Sequence, residues 1–428
     1  MSTRQPPPRG LRGLPRNVRV LTVASFLTDV SSDMVVYLVP LFLVGVLGAR
    51  TGVVGLIEGI AEATASLIKL GSGWLSDRMG RRKPLVVLGY SLSTVAKPFL
   101  YFATSWWTVL GVRFADRLGK GLRTAPRDAL VADSIGAKQR GFAFGLHRAG
   151  DTAGAVIGLA VALVVVVTSG STGLLSRETF QRVVLLSLIP ATLAVGLLIV
   201  GLREQSRRRV ERERGAGGVS ELGRPFLLYL ATMGLFTLGN SSDAFLILRA
   251  SNVGLTVAGV LGMMMVFNLV YAAVAMPAGA ASDRFGRKRM LLGGWLLYGV
   301  VYLGFARMSA AWQAWLWMAL YGLYYALTEG VGKAVVADLV HPEQRGVAYG
   351  LLAGVIGLFA LPASLLAGVL WQGVGAWPGL GPSAPFLFGA GMAGVACVLL
   401  GLQDLRPRDA AGQLGSADQA KAGSLSRE

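Results

Sequence analysis

The chain has 428 residues, 53% of them hydrophobic and only 15% charged, with a mean hydropathy of +0.57. That is too apolar for a water-soluble globular protein of this length, so a bilayer is the expected solvent. The formal charge of +18 sits in short basic clusters between apolar runs and not in one stripe, which argues against a nucleic-acid partner. A single cysteine, Cys397, rules out an internal disulfide framework.

The first residues, Met1 to Arg19, form a basic, Pro-rich tail. The apolar stretch after it is too long for a signal-peptide core and lacks a small-residue cleavage pattern, so it reads as a retained membrane helix. Such a helix needs about 20 mostly apolar residues. Gly, Pro and charge clusters cut the chain into twelve runs: 20–47, 52–76, 84–104, 107–132, 141–168, 180–202, 225–249, 254–281, 290–308, 312–337, 346–373 and 384–404. Lys and Arg gather in alternate connections, among them Arg78 to Lys83, Arg203 to Arg214 and Arg284 to Arg289, while the opposite loops hold isolated residues such as Arg50, Arg177 and Arg307. This asymmetry places both termini in the cytoplasm. Trp106, Trp107, Trp312 and Trp315 open the fourth and tenth runs on the outer side as interfacial anchors. The expected organisation is a cytoplasmic tail (1–19), a six-helix bundle (20–202), a charged, Gly-rich cytoplasmic linker (203–224), a second six-helix bundle (225–404) and a polar cytoplasmic tail (405–428).

The two bundles repeat one another. GWLSDRMGRRKP, Gly73 to Pro84, recurs as AASDRFGRKRM, Ala280 to Met290; Asp77 maps to Asp283 and Arg81 to Arg287 at an offset of 206. VADSIGAKQRGFAFGL from Val131 recurs as VADLVHPEQRGVAYGL from Val336, where Asp133 maps to Asp338 at an offset of 205. A weaker pair, Ser31 to Asp33 and Ser241 to Asp243, extends the repeat to the first and seventh runs. The G-x-L-x-D-R-x-G-R-R-K loop resembles the signature loop of the major facilitator superfamily (MFS), and Arg117 with Gly121 resembles its R-x-x-x-G element. The string from Asp116 to Asp133 is similar to a branch of bacterial permeases, some linked to metal resistance. The resemblance implies an all-α membrane protein of twelve helices in two pseudo-symmetric bundles that rock around a central site. It also implies a gating latch of Asp77, Arg81, Asp133, Asp283, Arg287 and Asp338, with Arg81 approaching Asp133 and Arg287 approaching Asp338.

Ionisable groups at membrane depth are costly, and each is a functional candidate until a partner explains it. Asp29 and Asp33 share one face of the first helix; Glu58, Glu62 and Lys69 lie on the second; Arg113, Asp116, Arg117, Lys120, Arg123, Arg127 and Asp128 form a stripe on the fourth; His147, Arg148 and Asp151 lie on the fifth. The formal charges of this set cancel, so ion pairing accounts for about half of it. The second half is expected to be plainer, with Asn240, Asp243, Asn268, Glu329 and Lys333 as its main polar groups. The substrate and coupling candidates are Asp29, Asp33, Glu58, Glu62, Arg113, Arg117, Arg123, His147, Asp151 and Glu329. Three consecutive methionines, Met263 to Met265, point to different sides of a helix and read as packing and lipid-facing residues.

The expected function is secondary active transport of a small polar or charged solute, with protons as the coupling ion, by a monomer in the bacterial inner membrane, where membrane lipids are its other partners. No G-x-x-x-x-G-K-[ST] loop is present, so direct ATP drive, and with it a nucleotide cofactor, is not expected. No cofactor and no resident metal are expected. Drug–proton or divalent-metal efflux is the alternative, weakened for drugs because the fifth helix lacks the Gly-Pro pair of the antiporter signature. A sensor or assembly protein on the same fold is the non-transporter alternative. An enzyme is not expected, because two histidines and one cysteine offer too little for a catalytic group.

Overall fold

A computed structural model describes residues 14–135, 140–204, 222–341 and 344–405. The side chain of Asp77, most of the 203–224 linker, residues 1–13 of the first tail and nearly all of the last tail lie outside the described residues. The described chain is almost wholly helical, in twelve spans. They are α1 (Arg16–Val46), α2 (Thr51–Met79), α3 (Lys83–Ala96 with a 3-10 turn Lys97–Leu100), α4 (Trp106–Asp133), α5 (Arg140–Thr168) and α6 (Arg177–Gly201). After the linker come α7 (Arg224–Gly239 and Ala244–Asn252), α8 (Val257–Phe285), α9 (Arg287–Arg307), α10 (Ala311–Leu339), α11 (Arg345–Gln372) and α12 (Ala384–Leu402).

By length and apolarity alone, seven of these qualify as membrane spans: α1, α5, α6, α8, α9, α11 and α12. The other five fall short for reasons the sequence displays. Helices α2 and α4 carry the charged stripes, α3 and α7 are interrupted, and α10 is rich in Trp and Tyr besides holding Glu329 and Lys333.

The packing repeats between halves. Helix α1 packs on α5 and α6, α4 packs on α2 and α3, and α3 meets α6. In the second half α7 packs on α11 and α12, α10 packs on α8 and α9, and α9 meets α12. Adding six to each helix number converts one set into the other, the contact pattern expected of two halves related by a pseudo-two-fold axis.

The same rule exchanges the two seams between halves, α2 against α11 and α5 against α8. The α2–α11 seam is built from small residues: a Cβ on Gly55 would lie 2.1 Å from the Ser364 carbonyl oxygen, and one on Gly357 would lie 2.1 Å from Ser66 Cβ. Close backbone approach of this kind is how membrane helices gain packing energy without a hydrophobic drive. At the end away from the basic loops, Thr51 N–H donates to Gln372 Oε1 at 2.7 Å, and Val257 and Ala258 N–H groups donate to the Gly173 and Thr172 carbonyls. One apolar core runs through the second half and includes residues of the first at this end, with Leu38 and Phe42 of α1 and Phe245 and Leu246 of α7. Near the basic loops the first half keeps a separate core around Val18, Tyr90, Leu130 and Leu198.

Helix α7 is not the continuous rod the sequence suggested. It breaks between Gly239 and Ala244, and neighbours satisfy the freed backbone: Tyr298 Oη donates to the Gly239 carbonyl at 2.9 Å, and Ser364 Oγ accepts from Ser242 N–H at 3.3 Å. Irregular backbone at membrane depth is tolerated where protein groups take over the lost bonds. Met263 and Met264 are fully buried and pack into the core, and of the three methionines Met265 alone is partly exposed.

Candidate substrate and coupling site

Helices α1 and α4 assemble the site. Asp29 and Asp33 project from one face of α1, and Arg113, Asp116, Arg117, Lys120 and Arg123 recur at three- and four-residue spacing on α4. These groups, with Ser32 and Val36 of α1 and Lys97 of α3, line a cavity of about 100 Å³ inside the first half. Helix α2 supplies countercharge from behind. Arg113 Nη2 donates to Glu58 Oε2 at 2.6 Å with both side chains under a tenth exposed. Arg117 Nη1 lies 3.7 Å from Glu62 Oε1, and its Nε lies 3.9 Å from Asp116 Oδ2.

Helix α3 answers the remaining cations with neutral groups. Arg123 Nη1 donates to Ser93 Oγ at 2.7 Å and sits 4.4 Å above the centroid of the Tyr90 ring. Lys97 Nζ donates to the Ser31 and Ser32 hydroxyls of α1. A lone charge at the bilayer centre costs about 2.5–3.5 kcal/mol on insertion scales, which a well-placed partner offsets. Once Glu58 is assigned to Arg113, and Glu62 and Asp116 to Arg117, the described residues show no ion pair for Asp29, Asp33 or Lys120. The cavity therefore holds two unpaired carboxylates on α1 facing ammonium and guanidinium groups from α3 and α4. Toward the basic end, Arg127 donates to Asp128 at 3.0 Å and to Ser25 Oγ at 3.2 Å, and His147 Nε2 stands 3.9 Å from Asp151 Oδ1.

The family model of the Major Facilitator Superfamily matches residues 21–250 and again 228–426. The chain is 34% identical over 395 residues to an uncharacterized MFS-type transporter of Methanocaldococcus jannaschii, covering 91% of this chain and 95% of the relative. This chain belongs to the Major Facilitator Superfamily of transporters. A shorter match, 34% identical over 137 residues, covers 31% of this chain and 33% of the multidrug resistance protein MdtH of Yersinia pseudotuberculosis. Among solved structures, a mutant of the nucleoside transporter NupG superposes with a TM-score of 0.72 at 12% identity, covering 90% of this chain and 99% of that one, a likeness of fold.

In this MFS protein the second half is less plain than its sequence suggested. Tyr298, Tyr302, Tyr321, Tyr324 and Tyr325 converge from α9 and α10 with ring centroids 4.0–6.5 Å apart. Tyr321 Oη donates to Asp243 Oδ1 at 2.8 Å, and Tyr302 Oη lies 3.5 Å from Asn240 Oδ1. Tyr37 of α1 reaches across, facing Asp33 on its own helix and Asp243 and Asn268 on the other half. Polarity here is carried by hydroxyls on aromatic rings, which charge counting overlooks. Among the described residues, one ionic contact crosses between the halves: Arg148 Nη2 donates to Glu329 Oε2 at 2.8 Å and to Tyr271 Oη at 2.7 Å, and Lys333 Nζ approaches Glu329 Oε1 at 3.5 Å.

The latch geometry differs from expectation in the first half. Arg287 Nη1 meets Asp338 Oδ1 at 2.6 Å, as the repeat implied. On Asp133, however, the ion pair among the described residues is with Arg82, while Arg81 is exposed. The reason is local. Gly286 leads directly into α9 at Arg287, whereas Gly80 closes α2 in a left-handed conformation (φ 64°) and Arg81 and Arg82 precede the first residue of α3, Lys83. Arg82 thus corresponds to Arg287 at an offset of 205, the same offset that relates Asp133 to Asp338. Glu204 accepts from the Arg82 and Lys83 N–H groups at 3.0 and 3.1 Å, capping the start of α3. Asp283 lies 3.7 Å from Arg287 and is mostly exposed.

Of the expected site residues, Asp29, Asp33, Arg113, Arg117 and Arg123 line the cavity. Glu58 stands behind Arg113, Glu62 is half exposed beside Arg117, His147 and Asp151 lie deeper against α5's neighbours, and Glu329 belongs to the contact between halves. Lys97 also lines the cavity and escaped the sequence reading. Its signal was a lysine alone in an apolar run, just ahead of Pro98.

Proposed function

We propose that this MFS transporter is a secondary active carrier for a small polar or charged solute, working by alternating access and coupled to protons. The observation that carries the reading is the pair of cavity carboxylates, Asp29 and Asp33, without ion-pair partners among the described residues and opposite Lys97, Lys120 and Arg117. A buried carboxylate with no close ion pair, offset only by cations across the cavity, can exchange a proton as solute arrives or leaves. With the basic loops in the cytoplasm of a bacterial inner membrane and both termini there, the stretch of apolar core that holds Leu38, Phe42 and Phe245 lies toward the outer face. The latch pairs Arg82–Asp133 and Arg287–Asp338 then lie on the cytoplasmic side, and a monomer suffices.

The test uses purified protein in liposomes loaded with a pH-sensitive dye, challenged in turn with polar anions, zwitterions, divalent metals and lipophilic cations. A polar solute should move the dye signal, and Asp33→Asn should abolish pH-dependent uptake while leaving the thermal unfolding midpoint in place. An unchanged pH profile in Asp33→Asn assigns that residue to structure and overturns its coupling role. The tyrosine wall supports drug–proton efflux as a second reading, since an aromatic surface suits apolar cargo; it is favoured if only the lipophilic cations move the signal.

A further inference from the structure

We propose that His147 and Asp151 form a second proton-binding site, separate from the cavity wall, buried between α1, α4 and α5 and connected to the cavity through Asp29. The inference rests on the proton-coupled reading above. His147 is 4% exposed, and both of its ring nitrogens, together with Asp151 Oδ1, are buried without a hydrogen-bond partner. The two side chains lie one helical turn apart with Nε2 and Oδ1 at 3.9 Å, just beyond hydrogen-bond range. Thr22 Oγ1 of α1 is likewise buried and unpartnered, and its helix passes close to this stretch of α5: a Cβ on Gly150 would stand 3.2 Å from Thr22 Cγ2, and one on Gly154 would stand 3.2 Å from Asp29 Cβ. Asp29 therefore touches α5 on one side and the cavity on the other.

The surrounding charges leave room for one proton. Arg127 of α4 is engaged by Asp128 and Ser25, and Arg148 of α5 by Glu329 of α10 and Tyr271 of α8. Helix α6 carries its charged residues, Arg177, Glu178 and Arg182, at the far end only. Asp33, which faces Lys97 of α3 as well as Lys120, lies on the cavity side; with Asp33 set against Lys97, what remains is Asp29 and Asp151 against Lys120 of α4 and the imidazole. With the imidazole neutral, two carboxylates face one ammonium. A proton on the imidazole balances the set and makes both ring nitrogens donors, so that Nε2–H faces Asp151 Oδ1 whichever tautomer the neutral ring adopts. Closing that gap is local to one turn of α5, a helix that also forms one of the two seams between halves.

The chain has only two histidines, and His341 is solvent-exposed. Full-length protein labelled on histidine in lipid nanodiscs, in a His341→Gln background, yields one imidazole signal that can be followed by NMR from pH 5 to 9 without any solute. The expected result is a single-proton titration of His147 whose midpoint moves by about one unit or more in Asp151→Asn, and by a smaller amount in Asp29→Asn. If Asp151→Asn does not fold, Asp151→Glu and Asp29→Asn carry the comparison. A midpoint identical in these variants, or an imidazole that never titrates, overturns the proposal. Because no solute is used, either result is independent of the liposome screen: a titrating His147 in a protein that moves no protons leaves this site standing and removes proton-coupled transport.

Discussion

At matching depth the two halves solve the problem of buried polarity differently. In the first half Arg113 reaches Glu58 at 2.6 Å with both ends buried, and α4 carries a run of charge. In the second half, tyrosine hydroxyls meet a carbonyl and one carboxylate, Tyr298 to Gly239 and Tyr321 to Asp243. An ionic wall responds to a proton or a charged solute, because every change of charge alters the balance over the whole cavity. A wall of neutral hydroxyls holds its hydrogen bonds across the same events. The difference suggests a division of labour, in which the first half senses charge and the second gives shape.

The largest expected effect tests the ionic wall. Arg113→Ala leaves Glu58 buried without its partner and should cost roughly 3–5 kcal/mol of stability, read as unfolding in detergent; Arg113→Met with Glu58→Met should restore most of it. Should the single variant cost no more than removal of a tyrosine hydroxyl, the contrast between halves is lost. Next comes transport itself. Lys120→Gln removes a cavity cation with no ion pair to break, and is expected to lower uptake about tenfold, the equivalent of roughly 1.4 kcal/mol, whereas Tyr325→Phe should leave uptake within a few-fold. Tyr298→Phe strips the donor from the Gly239 carbonyl at the break in α7 and should cost about 1–3 kcal/mol if no other group moves in, or nearer 1 kcal/mol if one does. The last test separates neighbours in the latch: Arg82→Ala removes a buried guanidinium from Asp133 and should cost about 1–3 kcal/mol, measured in the same unfolding assay, while Arg81→Ala should lie within error. Equal costs at the two positions return Arg81 to the latch.

Most of the architecture was readable because hydropathy and repetition are properties of the chain itself. The offset between Asp133 and Asp338 announced two halves before any packing was known. The same numbers held the latch correction, since offsets of 206 before Gly80 and 205 after it place a one-residue difference inside the loop. Choosing Arg82 over Arg81 needed the helix start at Lys83, which depends on Glu204 folding back from the end of α6. The break in α7 was hidden because Asn240 to Asp243 read as a tolerable polar interruption, and only Tyr298 and Ser364 make the exposed backbone affordable. The tyrosine wall joins residues of α9 and α10 through a spatial convergence that no spacing along one helix encodes. Lys97 could have been found and was passed over for the denser stripe on α4.

The α2–α11 seam carries a mechanical consequence. Its facing surfaces at Gly55 with Ser364 and Ser66 with Gly357 present hydrogens and short stubs instead of long knobs seated in holes. Such surfaces hold two bodies at a fixed separation yet offer little to unlock when one rolls over the other. For halves that rock, the seam is a bearing, with low friction and almost no clearance. Enlarging one residue there would act like grit, slowing the stroke while leaving the charge chemistry of the cavity untouched.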